Sequence, residues 1–459
     1  MIRTVKKVFV IGKSARLHAT VEALLLSSDS IEVYVISDVR IAELAAPDRL
    51  FVGKSDDVAF VQECVRKIGP DLALIGPEEP LATGVADALC EIGVPCVGPV
   101  KCLAKLETSK SFTRNLLTKY NIPGNPEYMV FYSMDGIAKY IRELGDFAIK
   151  PDGLTGGKGV KVSGEHLHSI GDALKYCEDL FSVGQPAVVI EEKLDGEEFS
   201  YQSFFDGHHI AHTIPVQDHK RARDSDTGPN TGGMGSYSCA NHSLPFLSQE
   251  DIHKAGEINR LVGEALLKET GQEYKGILYG GFMVTAKGLR VIEYNARFGD
   301  PEVMNILPIM QTNFLGVCEA IVSGTLDQLP VRFESKATVC KYVVPDGYPE
   351  STHANAQVEI EQVNEMRSTE PNLRVYLGAV EGDGTPYRLT GSRAIALVGI
   401  GPTLHEAEAI AEKAASLIVG PVYHRKDIGT DSLIQKRIDH AAQIGLTSGQ
   451  QQPKMKIAS

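Results

Sequence analysis

LRVIEYNARFGDPE, residues 289–302, carries the densest chemistry in the chain. Glu293 lies between the apolar Ile292 and Tyr294 in a run that reads as a strand, and a period of two puts Glu293 and Asn295 on one face. Two oxygen donors that close on a rigid strand suit a hard cation such as Mg²⁺, which takes carboxylate oxygens together with substrate phosphates. Arg297 follows on the same edge, where a guanidinium can grip a carboxylate or phosphate through paired hydrogen bonds. Taken alone, Glu293 and Arg297 also fit an ordinary salt bridge.

Upstream lies a second dense stretch, VQDHKR (216–221) followed by GPNTGGMG (228–235). A charged segment running into a glycine turn reads as a substrate loop, with a mobile surface loop as the plain alternative. His208, His209 and His212 lack zinc-site spacing and read as surface histidines. Further upstream, GLTGGKG (153–159) places four glycines and a lysine between two strands, a form that lets backbone close over a polyphosphate. Lys150 ends the apolar run FAI, where a lysine requires an anionic partner. AVVIEE then ends on Glu191-Glu192, and Asp195-Gly-Glu-Glu198 follows. The order suggests a nucleotide clamp: basic groups for phosphates, then an edge strand and carboxylates for base and ribose.

The first hundred residues alternate strand and helix, from VKKVFVIG through IEVYVIS and DLALIG to VPCVGP. Near-continuous apolar strands of this kind predict a parallel sheet with helices on both faces and ligands at the strand ends. Gly12-Lys13-Ser14 resembles the end of a P-loop, but the position that needs the other glycine is Lys7, inside the strand. It is rejected as a triphosphate site, while weaker anion binding stays open. One helix is expected over residues 101–120, broken by NIPGNP.

The chain has 459 residues, with 46 Lys+Arg against 59 Asp+Glu, a formal net charge of −13. Apolar residues at 43% and charged residues at 23% exclude collagen-like, coiled-coil and disordered classes. The acidic balance argues against a nucleic-acid surface, and no apolar run is long enough to span a bilayer. The eight cysteines form no CxxC pair. Cys90, Cys96 and Cys102, six apart, read as small buried hydrophobes rather than a metal cluster. A cytoplasmic, reduced protein is expected.

IGPEEPL, LETSKSFTR, IKPDGLTGGKGV, VIEEKLDGEEFS, QDHKR, TGPNTGGMGSYS, GILYGGFM, IEYNARFGDPE and RKDIG, in this order from residue 75 to 429, resemble the ATP-grasp superfamily, and within it the glycinamide ribonucleotide synthetase family. The resemblance implies an α/β and α+β multidomain fold: a Rossmann-like N-terminal domain (1–105), a linking helix (106–127), a mobile lid (128–195), an ATP-grasp core (196–330), a small mixed α/β C-terminal domain (331–435) and a polar tail (436–459). It implies ATP-dependent joining of glycine to 5-phosphoribosylamine through glycyl phosphate, in purine biosynthesis, by a monomer or weak homodimer. Lys110, Lys150, Gly156, Gly157, Lys158, Gly159, Glu191, Glu192 and Glu198 would bind ATP, Glu191 lying at the adenine and Glu198 at the ribose. Glu293 and Asn295 would bind Mg²⁺ or Mn²⁺. Arg297, Asp218 and Lys220 would be catalytic, and Arg16, His18, Glu78, Asn230, Thr231, Gly232, Gly233 and Asp300 would hold the substrates.

The loop after the first strand departs from the family's GxGGREHA form. Here it is Gly12-Lys13-Ser14-Ala15-Arg16-Leu17-His18-Ala19, and Ser37-Asp38-Val39-Arg40 replaces a glycine loop after the second strand. Side chains at glycine positions restrict backbone approach to a phosphate. This keeps open a related ligase with another amine acceptor, and a non-catalytic nucleotide-binding scaffold.

Overall fold

The computed structural model describes residues 5–28, 30–154, 156 and 159–446. The apolar runs at the N-terminus form the five-stranded parallel sheet β3-β2-β1-β4-β5, from β1 (Lys6–Gly12), β2 (Ile31–Ser37), β3 (Leu50–Val52), β4 (Leu72–Ile75) and β5 (Cys96–Val97). Helices α1 (Ser14–Leu25), α2 (Val58–Ile68), α3 (Glu78–Thr83) and α4 (Val85–Glu91) alternate with the strands. Ile11 of β1 lies opposite Ile75 of β4, so the turns at Gly12–Ser14 and Gly76–Glu78 open on one sheet edge.

The single helix expected over 101–120 is two, α5 (Lys101–Thr108) and α6 (Lys110–Lys119). Ser109 separates them in an extended conformation and caps α6 by accepting the Phe112 N–H. The break sets Lys110 at the first position of α6.

Strands β6 (Tyr128–Phe131), β7 (Phe147–Pro151), β8 (Lys161–Val162) and β9 (Val188–Glu192) form a sheet ordered β6-β9-β7-β8, with α7 (Ile137–Leu144) and α8 (Ile170–Ser182). This segment, expected as the lid, has its own core, with Ile137, Ile141, Ile149, Cys177 and Ile190 at its centre.

The central antiparallel sheet, β11-β10-β16-β17, uses β10 (Gly196–Asp206), β11 (Ile210–His212), β16 (Lys275–Thr285) and β17 (Gly288–Asn295). Between β11 and β16 come β12 (Gln217–Asp218), β13 (Arg221–Arg223), β14 (Thr227–Asn230), β15 (Gly235–Ser238) and the long α9 (Gln249–Thr270). Two helices follow β17, α10 (Val303–Ile306) and α11 (Phe314–Ser323). The chain ends with β18 (Ala337–Pro345), β19 (Gln357–Val358), α12 (Glu361–Thr369), β20 (Leu373–Leu377), β21 (Val380–Glu381), β22 (Tyr387–Leu389), β23 (Ile395–Gly401), α13 (Leu404–Ser416), β24 (Val422–His424) and α14 (Asp431–Gln443).

The boundary expected at residue 331 does not separate two sheets. β12 and β15 join β18, β23 and β20 in one sheet, with β24 also on β18. Gly235 makes the junction: at φ 152 its backbone approaches β18 so closely that a Cβ would overlap the Cys340 carbonyl oxygen.

Other expectations are corrected. Residues 436–443, expected in a tail, complete α14, because Leu433, Ile434 and Ala441 bury one face of that helix. The remaining tail, 447–459, lies outside the described residues. Cys90 is exposed on α4, whereas Cys96 is buried, and all eight cysteines are free thiols. His212 is not a surface residue: its ring stacks on Tyr201 and shares a 2.8 Å hydrogen bond with Ser203 Oγ. No helix among the described residues is long and apolar enough to cross a membrane.

Candidate active site

Lid, parallel sheet and central sheet meet at the end of β17. Lys110 donates to the Gly153 carbonyl at 2.7 Å, which ties α6 to the start of the glycine loop. Gly156 sits there at φ 56, and Gly159 accepts from the Tyr176 hydroxyl at 2.7 Å. Gly157 and Lys158 lie outside the described residues. Lys150 on β7 is buried, pairs with Glu191 and donates to the Ile292 carbonyl at 3.2 Å.

Glu191, expected at the adenine, lies in a buried ion-pair network. Its carboxylate is 2% exposed and faces Arg114 of α6, whose Nε and Nη2 donate at 2.8 and 3.1 Å, as well as Lys150. Arg114 and Lys150 together place three donors on this carboxylate. Burial alone would raise its pKa, but Arg114 and Lys150 outweigh burial and lower it. Glu192 points the other way, accepting the Glu127 N–H at 3.1 Å and pairing with Lys287 at 3.4 Å. Glu198 is exposed on β10, 3.9 Å from Lys220.

Glu293 and Asn295 fall opposite Gly281 and Tyr279 of β16 and share a face. Glu293 has Lys220 Nζ 3.7 Å away. Burial raises its pKa, yet the charges of Lys220, Lys150, Lys110 and Arg297 prevail and hold it at about 2. Lys220 answers in kind: burial would lower its pKa, but Glu293, Glu198, Asp218 and Glu302 raise it. Among the described residues no three His, Cys, Asp or Glu side chains gather to hold a metal ion. A carboxylate and an amide oxygen instead make a partial site of the kind that phosphate oxygens complete.

Arg297 does not pair with Glu293. Its Nε lies 3.1 Å from Glu78 and its Nη2 2.9 Å from Glu107. Glu107 also accepts the Ala296 N–H at 2.7 Å. Burial raises Glu107 to about 7 against the pull of Arg297. Glu78, which also feels Arg16, is held at about 2, because these arginines outweigh its burial. Asp218 is raised, first by burial and then by Glu302, with Lys220 and Arg393 opposing.

The Asn230–Gly235 turn wraps this cluster. Thr231 Oγ1 donates to the Lys220 carbonyl at 2.9 Å and accepts the Gly233 N–H at 3.0 Å. Gly233, at φ 114, leaves room for Asp218, whose Oδ1 would lie 2.6 Å from an added Cβ. Arg393 donates to the carbonyls of Gly232 at 2.7 Å, Gly233 at 3.1 Å and Asp300 at 2.7 Å. The Asp300 carboxylate takes three more donors: Ser14 Oγ at 2.6 Å, Tyr342 at 2.6 Å and Arg393 Nη2 at 3.1 Å.

The atypical N-terminal loop is thereby explained. Ser14 adopts φ 70, the left-handed conformation that glycine takes easily, and its hydroxyl bonds Asp300. Arg16 is buried, donating to the Phe298 carbonyl at 2.7 Å with Nη2 3.6 Å from Glu78. His18, expected at a substrate, is enclosed: Nδ1 accepts the Leu377 N–H at 3.0 Å and the ring meets Tyr376 edge-on. It joins the N-terminal sheet to β20.

Burial, reinforced by Arg367, lowers His18 from 6.5 to about 4. Between those values the unfolded chain binds a proton that the folded chain refuses, so this contribution to stability is present above pH 6.5 and is lost as pH falls towards 4. His18→Asn, which keeps an acceptor but does not titrate, is expected to reduce the drop in urea midpoint between pH 7 and pH 5. An unchanged drop would exclude His18 as its source.

The sequence reading missed Arg114, Glu107, Arg393, Tyr342 and Ser14 as parts of this network. Arg114 and Glu107 carried a signal: both lie in LETSKSFTR, at buried positions of two helices. Arg393 and Tyr342 meet the site only through the shared sheet, which local pattern does not reveal.

Three family models match consecutive parts of the chain: "Phosphoribosylglycinamide synthetase, N domain" over residues 6–107, its "ATP-grasp (A) domain" over 108–303 and its "C domain" over 338–431. The chain is 45% identical over 439 residues to the phosphoribosylamine–glycine ligase of Methanosarcina barkeri, covering 95% of this chain and 99% of that protein. It is 46% identical over 443 residues to the same-named protein of Methanocaldococcus jannaschii, covering 94% and 98%. In fold it is similar to the crystal structure of phosphoribosylamine–glycine ligase from Thermotoga maritima, with TM-score 0.75 and 24% identity, over 92% of this chain and 99% of that one. The biotin carboxylase–β-γ-ATP complex from Campylobacter jejuni gives TM-score 0.70 at 13% identity, over 95% and 96%.

Proposed function

The chain belongs to the phosphoribosylglycinamide synthetase family, and from that premise we propose how its residues divide the work of joining glycine to phosphoribosylamine. It is an ATP-dependent carbon–nitrogen ligase of purine biosynthesis. A carboxylate is a poor acyl donor until phosphorylated. Glycine's carboxylate oxygen attacks the γ-phosphorus of ATP, the bond to ADP breaks, and glycyl phosphate forms. The amine of phosphoribosylamine then attacks the acyl carbon, the C–O bond to phosphate breaks, and the new amide nitrogen gives up a proton.

Phosphoryl transfer of this kind needs positioning and charge neutralisation rather than a protein nucleophile. Lys110 and Lys150, with Lys158 of the glycine loop, face the phosphates in this reading. Glu198 takes the ribose, and Arg297, held by Glu78 and Glu107, is aimed at the acyl phosphate. Asp218, with its raised pKa, accepts the proton released from the attacking amine, and Lys220 keeps it beside the reacting carboxyl. Glu293 and Asn295 would hold Mg²⁺ or Mn²⁺. The fit rests on Glu293 remaining ionised inside the site, and the bound ion would neutralise phosphate charge.

One observation carries the reading: Lys220 lies 3.7 Å from the Glu293 carboxylate, and the charges of Lys150, Lys110 and Arg297, from three other segments, also act on it. That is the charge pattern of a site for a polyphosphate with its metal. An acceptor other than phosphoribosylamine is not favoured, since the N-domain model matches from residue 6 and Ser14 accommodates the altered loop. Free thiols throughout support a cytoplasmic setting.

The test measures ADP release with glycine, ATP and Mg²⁺, with and without freshly generated phosphoribosylamine. Release is expected to rise at least tenfold when the amine is present, roughly the effect of supplying the second step's nucleophile. A rate indifferent to phosphoribosylamine would overturn the acceptor assignment.

A further inference from the structure

The last helix, α14, starts where the C-domain match ends at residue 431, yet its side chains reach the back of the active site. Glu197 and Glu198 are consecutive in β10, so they point to opposite faces. Glu198 looks into the cleft towards Lys220, whereas Glu197 points away and is 2% exposed. His440 Nδ1 lies 2.7 Å from Glu197 Oε1, and Gln217 Nε2 donates to Oε2 at 3.2 Å. Arg437 Nε stands 3.7 Å from the same carboxylate.

Gln217 spreads this anchorage. It also donates to the Glu198 carbonyl at 3.0 Å, accepts from the Tyr237 hydroxyl at 2.7 Å, and immediately precedes Asp218 in β12. Arg437 and Arg425 grip Asp226 at 2.6 and 3.1 Å, holding Ser225 and Asp226 in the left-handed region at φ 61 and 58. Arg425 also donates to the Arg221 carbonyl at 3.1 Å, one residue from Lys220. A carboxylate buried as deeply as Glu197 requires donors at both oxygens, and α14 supplies one of them.

We propose that α14 is a clasp on the nucleotide site, with His440 and Arg437 as positioning residues that fix Glu198 and Lys220 through Glu197, Gln217 and Asp226. The inference rests on the functional reading above only in taking the Glu198–Lys220 cleft as the nucleotide site. His440 acts on Glu198 through Glu197 and Gln217, whereas Lys220 is held through Asp226, Arg425 and Arg221, so loss of His440 alone loosens nucleotide binding and leaves the chemical step largely intact.

The experiment uses the full chain and a non-hydrolysable ATP analogue with Mg²⁺, and reads its Kd by calorimetry, without glycine or amine. His440→Ala is expected to raise that Kd about tenfold, the effect of losing one charge-assisted hydrogen bond's worth of positioning. The KM for ATP should rise to match, while kcat stays within about twofold. His440→Asn, whose amide can donate to Glu197, should recover most of the affinity. Arg437→Gln, a second variant should His440→Ala not fold, should weaken binding in the same sense. An unchanged Kd in both His440→Ala and Arg437→Gln, even with a lower melting temperature, would overturn the clasp and leave α14 a purely structural helix. Because the binding arm needs no acceptor, it stands or falls separately from the phosphoribosylamine test.

Discussion

Glu293→Gln is expected to lower kcat for ADP release at least about a thousandfold at saturating glycine and Mg²⁺, the scale lost when a charge-stabilising group is removed from a phosphoryl-transfer site. Glutamine keeps the shape of the side chain and a ligand oxygen but removes the charge that draws a divalent cation. Lys220 then loses the carboxylate 3.7 Å from its Nζ, and the positive charge of Lys150, Lys110 and Arg297 at that position goes unopposed. Phosphate oxygens can still satisfy those cations, so ATP should bind the variant while its turnover fails. That separation identifies a metal-holding role: a lost fold would remove binding and turnover together. Turnover within tenfold of the parent chain at saturating Mg²⁺ would refute the assignment.

The second large effect concerns stability. Arg114→Met is expected to lower the unfolding free energy by about 3–5 kcal/mol, the range found when one partner of a buried ion pair is removed. Arg114 bridges two bodies: it holds Glu191 of the lid and donates to the Val291 and Ile292 carbonyls of β17 at 3.0 and 2.7 Å. Without it, Glu191 keeps only Lys150, and both are deeply buried. The double variant Arg114→Met/Glu191→Gln should recover part of the loss, since the uncompensated carboxylate is gone. The pH dependence has a defined sign. Glu191's folded pKa is lowered, so its contribution is present above its unfolded pKa near 4.3 and is lost as pH falls through the folded value. Urea titrations of the parent, single and double variants at pH 7 and pH 4 read both effects. A double variant no more stable than the single one would remove the unpaired carboxylate as the cause.

Much of this arrangement was legible in the sequence because it is local. A period of two placed Glu293 and Asn295 on one face of β17, and strand–helix alternation specified the parallel sheet that brings Gly12 beside Gly76. What could not be read is what arises between segments distant in sequence. Glu191 sits at the end of an apolar strand near other carboxylates, and only the packing of α6 and β7 shows the two cations that pair with it. The partner of His18 was hidden for the same reason, since Leu377 is 359 positions away. Ser14 shows the converse limit. A serine in a glycine's place looks like a loss until Asp300 supplies the bond that holds it in a left-handed conformation.

The sheet that unites β12 and β15 with β18, β23 and β20 bears on how such a chain can be recombined. Sequence boundaries invite exchange of the last hundred residues between relatives as if they were a cassette. A graft made there would trade β18 while keeping β15, and would have to match Gly235 to a new backbone along four paired positions. It would also replace Arg393 and Tyr342 beneath an unchanged Asp300. The interchangeable unit is the lid, whose core is its own and whose attachment runs through Arg114, Glu191 and Lys150. Exchange of modules should therefore follow the hydrophobic cores rather than the order of the motifs.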